Sequence, residues 1–194
     1  MRCLKIKVRG RVFYVTLLPL ELESIFNEED ISRLLRLLQA KDIHLVAINA
    51  DAVYSLKFLE HAIYKALRAW IDGRMVSRKL AIEVLLYVSL SRQISEAVEE
   101  ASACGRRRIV LVCITSSIMD LDRILNALRK IGYKFKVNWN LVEPNPDKVK
   151  YFKSKLAISD KELQAYRIKK SESQCELLEK ALIERLSIFD IEKD

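Results

Sequence analysis

Turn-forming residues are scarce in this chain of 194 residues, which has only four glycines and three prolines, while 51% of its residues are hydrophobic. This composition excludes a disordered or low-complexity protein and favours a compact, helix-rich globular fold. No apolar run reaches the roughly 20 residues that a membrane-spanning helix needs. The first residues alternate apolar and basic side chains and do not form a signal sequence, so we expect a cytoplasmic protein with no membrane partner.

Signatures of metal centres and of common enzymes are also missing. The four cysteines are far apart with no CxxC pair, and the chain has only two histidines, so no zinc framework is predicted. The sequence contains no GxxxxGK[ST], GxGxxG, HExxH or GxSxG motif. Its acidic residues fall mostly at helix starts or on charged helix faces, where capping and solvation explain them. We therefore expect a protein that is not an enzyme, with no catalytic residues, metal or cofactor.

Positive charge is in excess, because 34 lysines and arginines against 26 acidic residues give a net charge of +8. Such a balance favours a polyanionic partner such as nucleic acid. The most informative basic cluster is residues 74–79, a loop between two predicted helices. Ser77, Arg78 and Lys79 could converge there with backbone N–H groups on a phosphate, while Met75 and Val76 offer apolar surface to a base. A solvated loop with no ligand explains the same residues about equally well.

Alternating and helical patterns predict a mixture of strands and helices. A hairpin is expected from residues 2–8 and 12–18, before Pro19. Buried strands are expected at 43–48 and 108–114, and a weaker strand at 134–139. Capping residues and apolar periodicity predict a final helix over 175–189 and helices that begin at Asn27, Ser55, Ser77, Ser91, Ser117, Asn145 and Ser159.

This order predicts an α/β (α+β) fold in which several helices pack on a small mixed sheet. The hairpin requires antiparallel pairing, whereas the strands before Ser55 and before Ser117 are separated by helices and could be parallel neighbours. The length fits a single domain over residues 1–194, with residues 145–194 as a C-terminal helical segment packed on the same core.

Two polar residues, Arg92 and Gln93, follow the most apolar helical stretch of the sequence. Because arginine is rarely buried without a partner, we first interpret the pair as an internal tether, with Arg92 bridging to an acidic residue such as Glu83 or Glu96. Lining of a ligand groove, with direct contact between Arg92 and RNA, is the lesser alternative. Catalysis is disfavoured because neither side chain titrates near neutral pH.

Two segments resemble a known family. A long helix from Ser55, the basic loop, the stretch EVLLY at 83–87 and then SRQISEA at 91–97 are similar to the kinase-binding subunit of the KEOPS complex. Residues 155–191, with KLAISDKELQAY followed by LLEKALIERLSIFDIE, resemble the closing helices of that family. The chain departs from the family pattern at residues 89–91, where the family often has a glycine, and at Leu186 and Ser187, where Val and Ala are common.

The resemblance implies a non-catalytic regulatory subunit that binds and activates the kinase-like ATPase of KEOPS and contacts the other subunits indirectly. It also implies binding of the single-stranded CCA end of tRNA, in support of threonylcarbamoyladenosine modification. Kinase contacts are expected from Leu182, Ile183, Leu186 and Phe189, and RNA contacts from Lys65, Arg68, Arg74, Met75, Val76, Ser77, Arg78, Lys79 and Arg92. The alternatives are a stand-alone basic nucleic-acid-binding protein and, less favoured, a small hydrolase.

Overall fold

The computed structural model describes residues 2–39 and 42–192 and confirms the α/β class, with helices packed on a five-stranded sheet. The strands are β1 (Arg2–Val8), β2 (Arg11–Phe26), β3 (His44–Asn49), β4 (Arg106–Thr115) and β5 (Phe135–Val137). The helices are α1 (Glu28–Leu38), α2 (Leu56–Ile71), α3 (Leu80–Ser89), α4 (Ile94–Ala101), α5 (Leu121–Lys130), α6 (Pro146–Lys155), α7 (Asp160–Ala165) and α8 (Gln174–Glu192). Short 3-10 turns cover Ala50–Ala52 and Trp139–Val142.

The strand order is β1-β2-β4-β3, and β5 pairs with β2. All four strand pairings are antiparallel, including the pairing of β3 with β4, so the parallel pairing considered for these two strands is not the one that forms. The predicted hairpin is confirmed for β1 and β2. Its turn at Arg9 and Gly10 has φ angles of 48° and 84°, which a two-residue type I′ turn requires.

The second strand does not end before Pro19, as the sequence predicted, but runs through it. β1 pairs with β2 only as far as Leu17, and β5 pairs with β2 from Leu20 onward. Pro19 lies in the gap between these two partners, where its missing N–H costs no ladder hydrogen bond. Its carbonyl accepts a hydrogen bond from the N–H of Asn138 at 3.0 Å. A proline is therefore tolerated inside this strand because its neighbour changes at that position.

Each face of the sheet packs on its own group of helices. One face carries Leu17, Val46 and Val112 into a core that includes residues of α2, α3, α4, α6, α7 and α8. The other face carries Leu18 and Leu111 into a smaller core with α1 and α5. The alternation of side chains along each strand divides the apolar residues between these two cores.

Three predicted helix starts are displaced by two or three residues. α3 begins after Lys79, because the hydroxyl of Ser77 accepts the N–H of Lys79 at 3.2 Å and so closes a turn that precedes the helix. α4 begins after Gln93, and Ser91 lies in the turn that separates it from α3. α5 begins after Asp120, whose carboxylate accepts the N–H of residue 122 at 3.1 Å. Predicted starts at Asn27, Ser55, Asn145 and Ser159 are confirmed.

A buried carboxylate fixes the start of α1. Asp30 is 3% exposed and accepts the hydroxyl of Tyr133 at 2.5 Å and the N–H of Asn27 at 2.8 Å. Tyr133 also donates to the carbonyl of Ile25 at 3.0 Å and stacks on Phe26 with ring centroids 5.7 Å apart. These contacts hold α1 against the segment that follows α5.

Replacement of Tyr133 by phenylalanine removes the hydroxyl that donates to Asp30. The buried carboxylate of Asp30 then has one hydrogen-bond donor fewer. We expect Tyr133→Phe to lower the free energy of unfolding by about 1–3 kcal/mol, the cost of leaving a buried polar group unsatisfied. Urea denaturation measures this change. Tyr64→Phe is the matched control, since Tyr64 is 38% exposed, and equal losses in the two variants would contradict the role given to Tyr133.

Candidate partner and nucleic-acid interface

Three of the cations predicted to contact RNA converge on one carboxylate of α8. The Nζ of Lys65 lies 3.2 Å from Oδ2 of Asp190, and Nη2 of Arg68 lies 3.5 Å from the same oxygen. Nη2 of Arg74 lies 3.7 Å from Oδ1. We call Lys65, Arg68, Arg74, Tyr87 and Asp190 the Asp190 cluster. It joins α2, the following loop, α3 and α8.

The carboxylate at the centre of this cluster is 1% exposed and is held by a short hydrogen bond. The hydroxyl of Tyr87 donates to Oδ1 of Asp190 at 2.6 Å, and the ring of Tyr87 packs edge-on against Phe189 with centroids 5.2 Å apart. Burial by itself raises the pKa of Asp190, but the hydrogen bond from Tyr87 and the charges of Lys65 and Arg68 outweigh it and hold that pKa below its ordinary value. Asp190 is therefore a stabilised buried anion.

A second carboxylate extends the network to the hairpin. Asp72, at the end of α2, lies 3.3 Å from Nε of Arg9 and 3.7 Å from the guanidinium groups of both Arg68 and Arg74. The two arginines thus each face two carboxylates. This network assigns a structural role to Lys65, Arg68 and Arg74 and leaves their expected contact with RNA without support.

The loop between α2 and α3 is ordered from inside the protein. Glu83 is fully buried, and its Oε2 accepts the N–H of Val76 at 3.2 Å and the N–H of Ser77 at 3.5 Å. These two backbone groups are therefore already engaged inside the protein, which removes them from the expected cradle of loop N–H groups. No sequence pattern indicates this contact, because Glu83 lies within an apolar helix.

The outer side of the same loop carries the remaining predicted residues. Arg78 and Lys79 are exposed, and Val76 is 50% exposed, whereas Met75 and Ser77 are half-buried. Two cations next to an apolar side chain are thus presented to solvent on a backbone that internal hydrogen bonds hold in place. Such a surface suits the phosphates and bases of a single strand.

The turn before α4 carries Arg92 and Gln93, both exposed. α3 ends at Ser89, its C-cap Leu90 has a left-handed φ of 55°, and α4 begins only at Ile94, so neither residue lies inside a helix. The carbonyl of Gln93 accepts the N–H of Ala97 as α4 begins, at 3.0 Å. Ser91 donates to the carboxylate of Glu96 at 2.7 Å and accepts the N–H of Gln93 at 3.2 Å. Ser91 therefore contributes two side-chain hydrogen bonds to this turn.

The residues expected to contact the kinase lie mostly inside the protein. Leu182 and Leu186 are fully buried and Phe189 is 6% exposed, all within the core that contains α2 and α3. Only Ile183 is half-buried. The apolar stripe that the sequence predicts on α8 is present, but it packs on the chain itself. The expectation of an exposed docking surface at these four positions is corrected accordingly.

Two negative findings apply to residues 2–39 and 42–192. No group of three or more histidine, cysteine or acidic side chains lies close enough together to hold a metal ion. None of the helices in these ranges combines the length and the apolar character needed to cross a bilayer.

The comparisons with known proteins identify a class of binding protein. A family model described as kinase binding protein CGI-121 matches residues 22–190, which include most of both cores, the Asp190 cluster and the loop before α3. The chain belongs to this family of kinase-binding proteins, the CGI-121 family. The search of curated proteins returned no match.

The Asp190 cluster predicts a loss of stability when its anion is neutralised. Asp190→Asn leaves three cations around a neutral amide and weakens the bond from Tyr87, so we expect the free energy of unfolding at pH 7 to fall by about 2–4 kcal/mol. Because folding lowers the pKa of Asp190, its contribution is present above the ordinary value of 3.8 and is lost as the pH falls through the lower folded-state pKa. The variant should therefore lose less stability on acidification than the wild type.

Chemical denaturation at a series of pH values measures both effects. Asp42→Asn is the control, because Asp42 is exposed and its replacement should change stability by less than about 0.5 kcal/mol. Parallel pH profiles for the wild type and Asp190→Asn would contradict a stabilised anion at this site.

Proposed function

We propose that this protein is a cytoplasmic, non-catalytic regulatory subunit of the KEOPS complex that binds and activates the kinase-like ATPase of that complex. We further propose that it binds the single-stranded CCA end of tRNA and so supports threonylcarbamoyladenosine modification. The observation that carries the first proposal is membership of the kinase-binding CGI-121 family over residues 22–190. The RNA part rests on the charge and the shape of the loop before α3.

The cations of α2 and of the loop before α3 that were predicted to contact RNA form an internal and an external set. Lys65, Arg68 and Arg74 face Asp190 and Asp72, whereas Arg78 and Lys79 face solvent. Only the second set can neutralise phosphates without breaking an internal ion pair. The net charge of +8 adds long-range attraction for a polyanion. We therefore place the proposed RNA contact at Arg78 and Lys79, with Val76 beside them.

The fixed backbone of the loop favours binding. Glu83 holds the N–H groups of Val76 and Ser77, and Ser77 holds that of Lys79. Less conformational entropy is lost when a ligand meets a surface that is already ordered. The burial of Glu83 thus supports the proposed site although this residue would not touch RNA.

The hydrolase alternative would depend on a thiol or a histidine, with Cys113 and His61 as the candidates, and the environment of Cys113 argues against it. Burial raises the pKa of its thiol to about 12, and its Sγ lies 3.7 Å from Sδ of Met119. A thiol with so high a pKa is a poor nucleophile at neutral pH. His61 contacts the carbonyl of Lys57 at 2.8 Å through Nδ1, as a histidine on a helix surface commonly does.

Removal of the two exposed cations tests the RNA proposal. We expect Arg78→Ala combined with Lys79→Ala to weaken tRNA binding and to reduce the slope of log affinity against log salt concentration by about 2, one for each lost phosphate contact. Fluorescence anisotropy with labelled tRNA between low and moderate salt measures the slope. A second tRNA that lacks its CCA end should bind the wild type more weakly.

The matched control removes two charges elsewhere. Lys169 and Lys170 are exposed in the loop before α8, and Lys169→Ala with Lys170→Ala changes the net charge by the same amount. If the control variant lost as much affinity and slope as the loop variant, tRNA binding would reflect net charge alone. If tRNA with and without CCA bound equally, the proposed end recognition would be wrong.

A further inference from the structure

One edge of the sheet is only half covered by the residues that the structure describes. β3 pairs with β4 on one side and is the last strand on the other. In its second half, the N–H of Ala103 donates to the carbonyl of Ala47 at 3.0 Å, and Ser102 forms an isolated antiparallel bridge with Ile48. This short segment shows that the edge of β3 accepts a strand partner.

The first half of that edge has unpaired backbone groups. In an antiparallel ladder, successive residues direct their N–H and C=O groups alternately to the two neighbours. Because the carbonyl of Ala47 faces away from β4, the N–H of Ala47 and both backbone groups of Leu45 face away as well. No hydrogen bond from another described residue reaches these three groups. Such an edge is a template for an added strand.

A groove of about 350 Å³ opens along this edge. Its walls are mainly apolar: Ile31 of α1 lies on one side, and Ile82 of α3 and Val98 of α4 lie on the other. Glu28 and Lys79 add two charged side chains to the lining. Val98 is 37% exposed. The strand edge therefore forms the floor of a cleft whose two walls come from helices on opposite faces of the sheet.

We propose that this groove is the docking site for an extended segment of the partner kinase, which adds to β3 as a further strand. The proposal rests on the kinase-binding function proposed above and names the surface and the binding mode. Only an extended chain offers alternating N–H and C=O groups to the open edge, because a helix satisfies its own backbone groups. The backbone of a nucleic acid has no alternating N–H and C=O groups.

The walls define the chemistry of the segment. Successive side chains of a strand point to opposite faces, so one set would meet Ile31 and the other would meet Ile82 and Val98. The sequence of a strand that is buried on both faces is a continuous run of apolar residues and does not alternate between apolar and polar ones. We therefore expect a short apolar segment, rich in β-branched residues, in a loop or terminus of the kinase.

Amide hydrogen exchange in the complex with the KEOPS kinase is the direct test. Strand addition should slow the exchange of the Leu45 and Ala47 amides at least tenfold and leave that of Val46 unchanged, because the amide of Val46 faces β4. A complex that forms without protection at Leu45 and Ala47 would overturn the docking site and leave the kinase-binding function intact. Failure of any complex to form would overturn both proposals.

A matched pair of variants gives a second measurement. Val98→Arg puts a charge on the groove wall, and we expect it to weaken kinase binding at least tenfold while tRNA binding stays within twofold of the wild type. Val137→Arg is the control, since Val137 is 39% exposed on β5, and it should leave both affinities unchanged. Equal kinase affinity in the two variants would overturn the proposal. So would protection of Leu45 by a tRNA or by a second copy of the chain instead of the kinase.

Discussion

The carboxylate of Asp190 is the constraint on which much of this structure depends. A buried charge is costly unless charged and hydrogen-bonding partners surround it. Here the partners come from three separate parts of the chain, with Lys65 and Arg68 on α2, Arg74 in the next loop and Tyr87 on α3. The charge is satisfied only when all of these elements and α8 are in place. The cluster therefore selects one arrangement of the helices around the larger core.

This constraint also separates structural cations from those available to a ligand. Lys65, Arg68 and Arg74 are paired with Asp190, whereas the exposed cations Arg78 and Lys79 lie on the loop whose N–H groups Glu83 holds. The proposed kinase groove lies close to that loop, because Lys79 lines it together with Ile82, one turn further along α3. If both proposals hold, RNA and kinase approach neighbouring faces of the first turn of α3.

Local features of the fold were predictable from the sequence, whereas features set by distant contacts were not. Helix starts at Asn27, Ser55, Asn145 and Ser159 are encoded by the cap itself, and the β1–β2 hairpin by its turn. The passage of β2 through Pro19 depends on which strands lie beside it. The start of α3 depends on a side chain, Ser77, that caps a turn and not the helix.

The candidate site likewise has local features that were predictable and features set by distant contacts that were not. The presence of a basic loop between two helices is a local feature that the sequence predicts. Lys65 and Asp190, however, are 125 residues apart in sequence, and no periodicity reveals that they meet. The apolar face of α8 was also recognised, yet a pattern of buried spacing does not say whether the partner is α2 or another protein. No sequence pattern predicts the groove beside β3, because an unpaired strand edge is a property of the assembled sheet.

Native-state hydrogen exchange in Asp190→Asn tests the central role of this carboxylate most directly. If Asp190 holds α2, the loop and α8 together, the amides of α8 and of residues 72–79 should exchange faster by a similar factor, while those of α1, in the other core, keep their wild-type rates. Faster exchange of α8 alone, or unchanged exchange in both segments, would contradict the account.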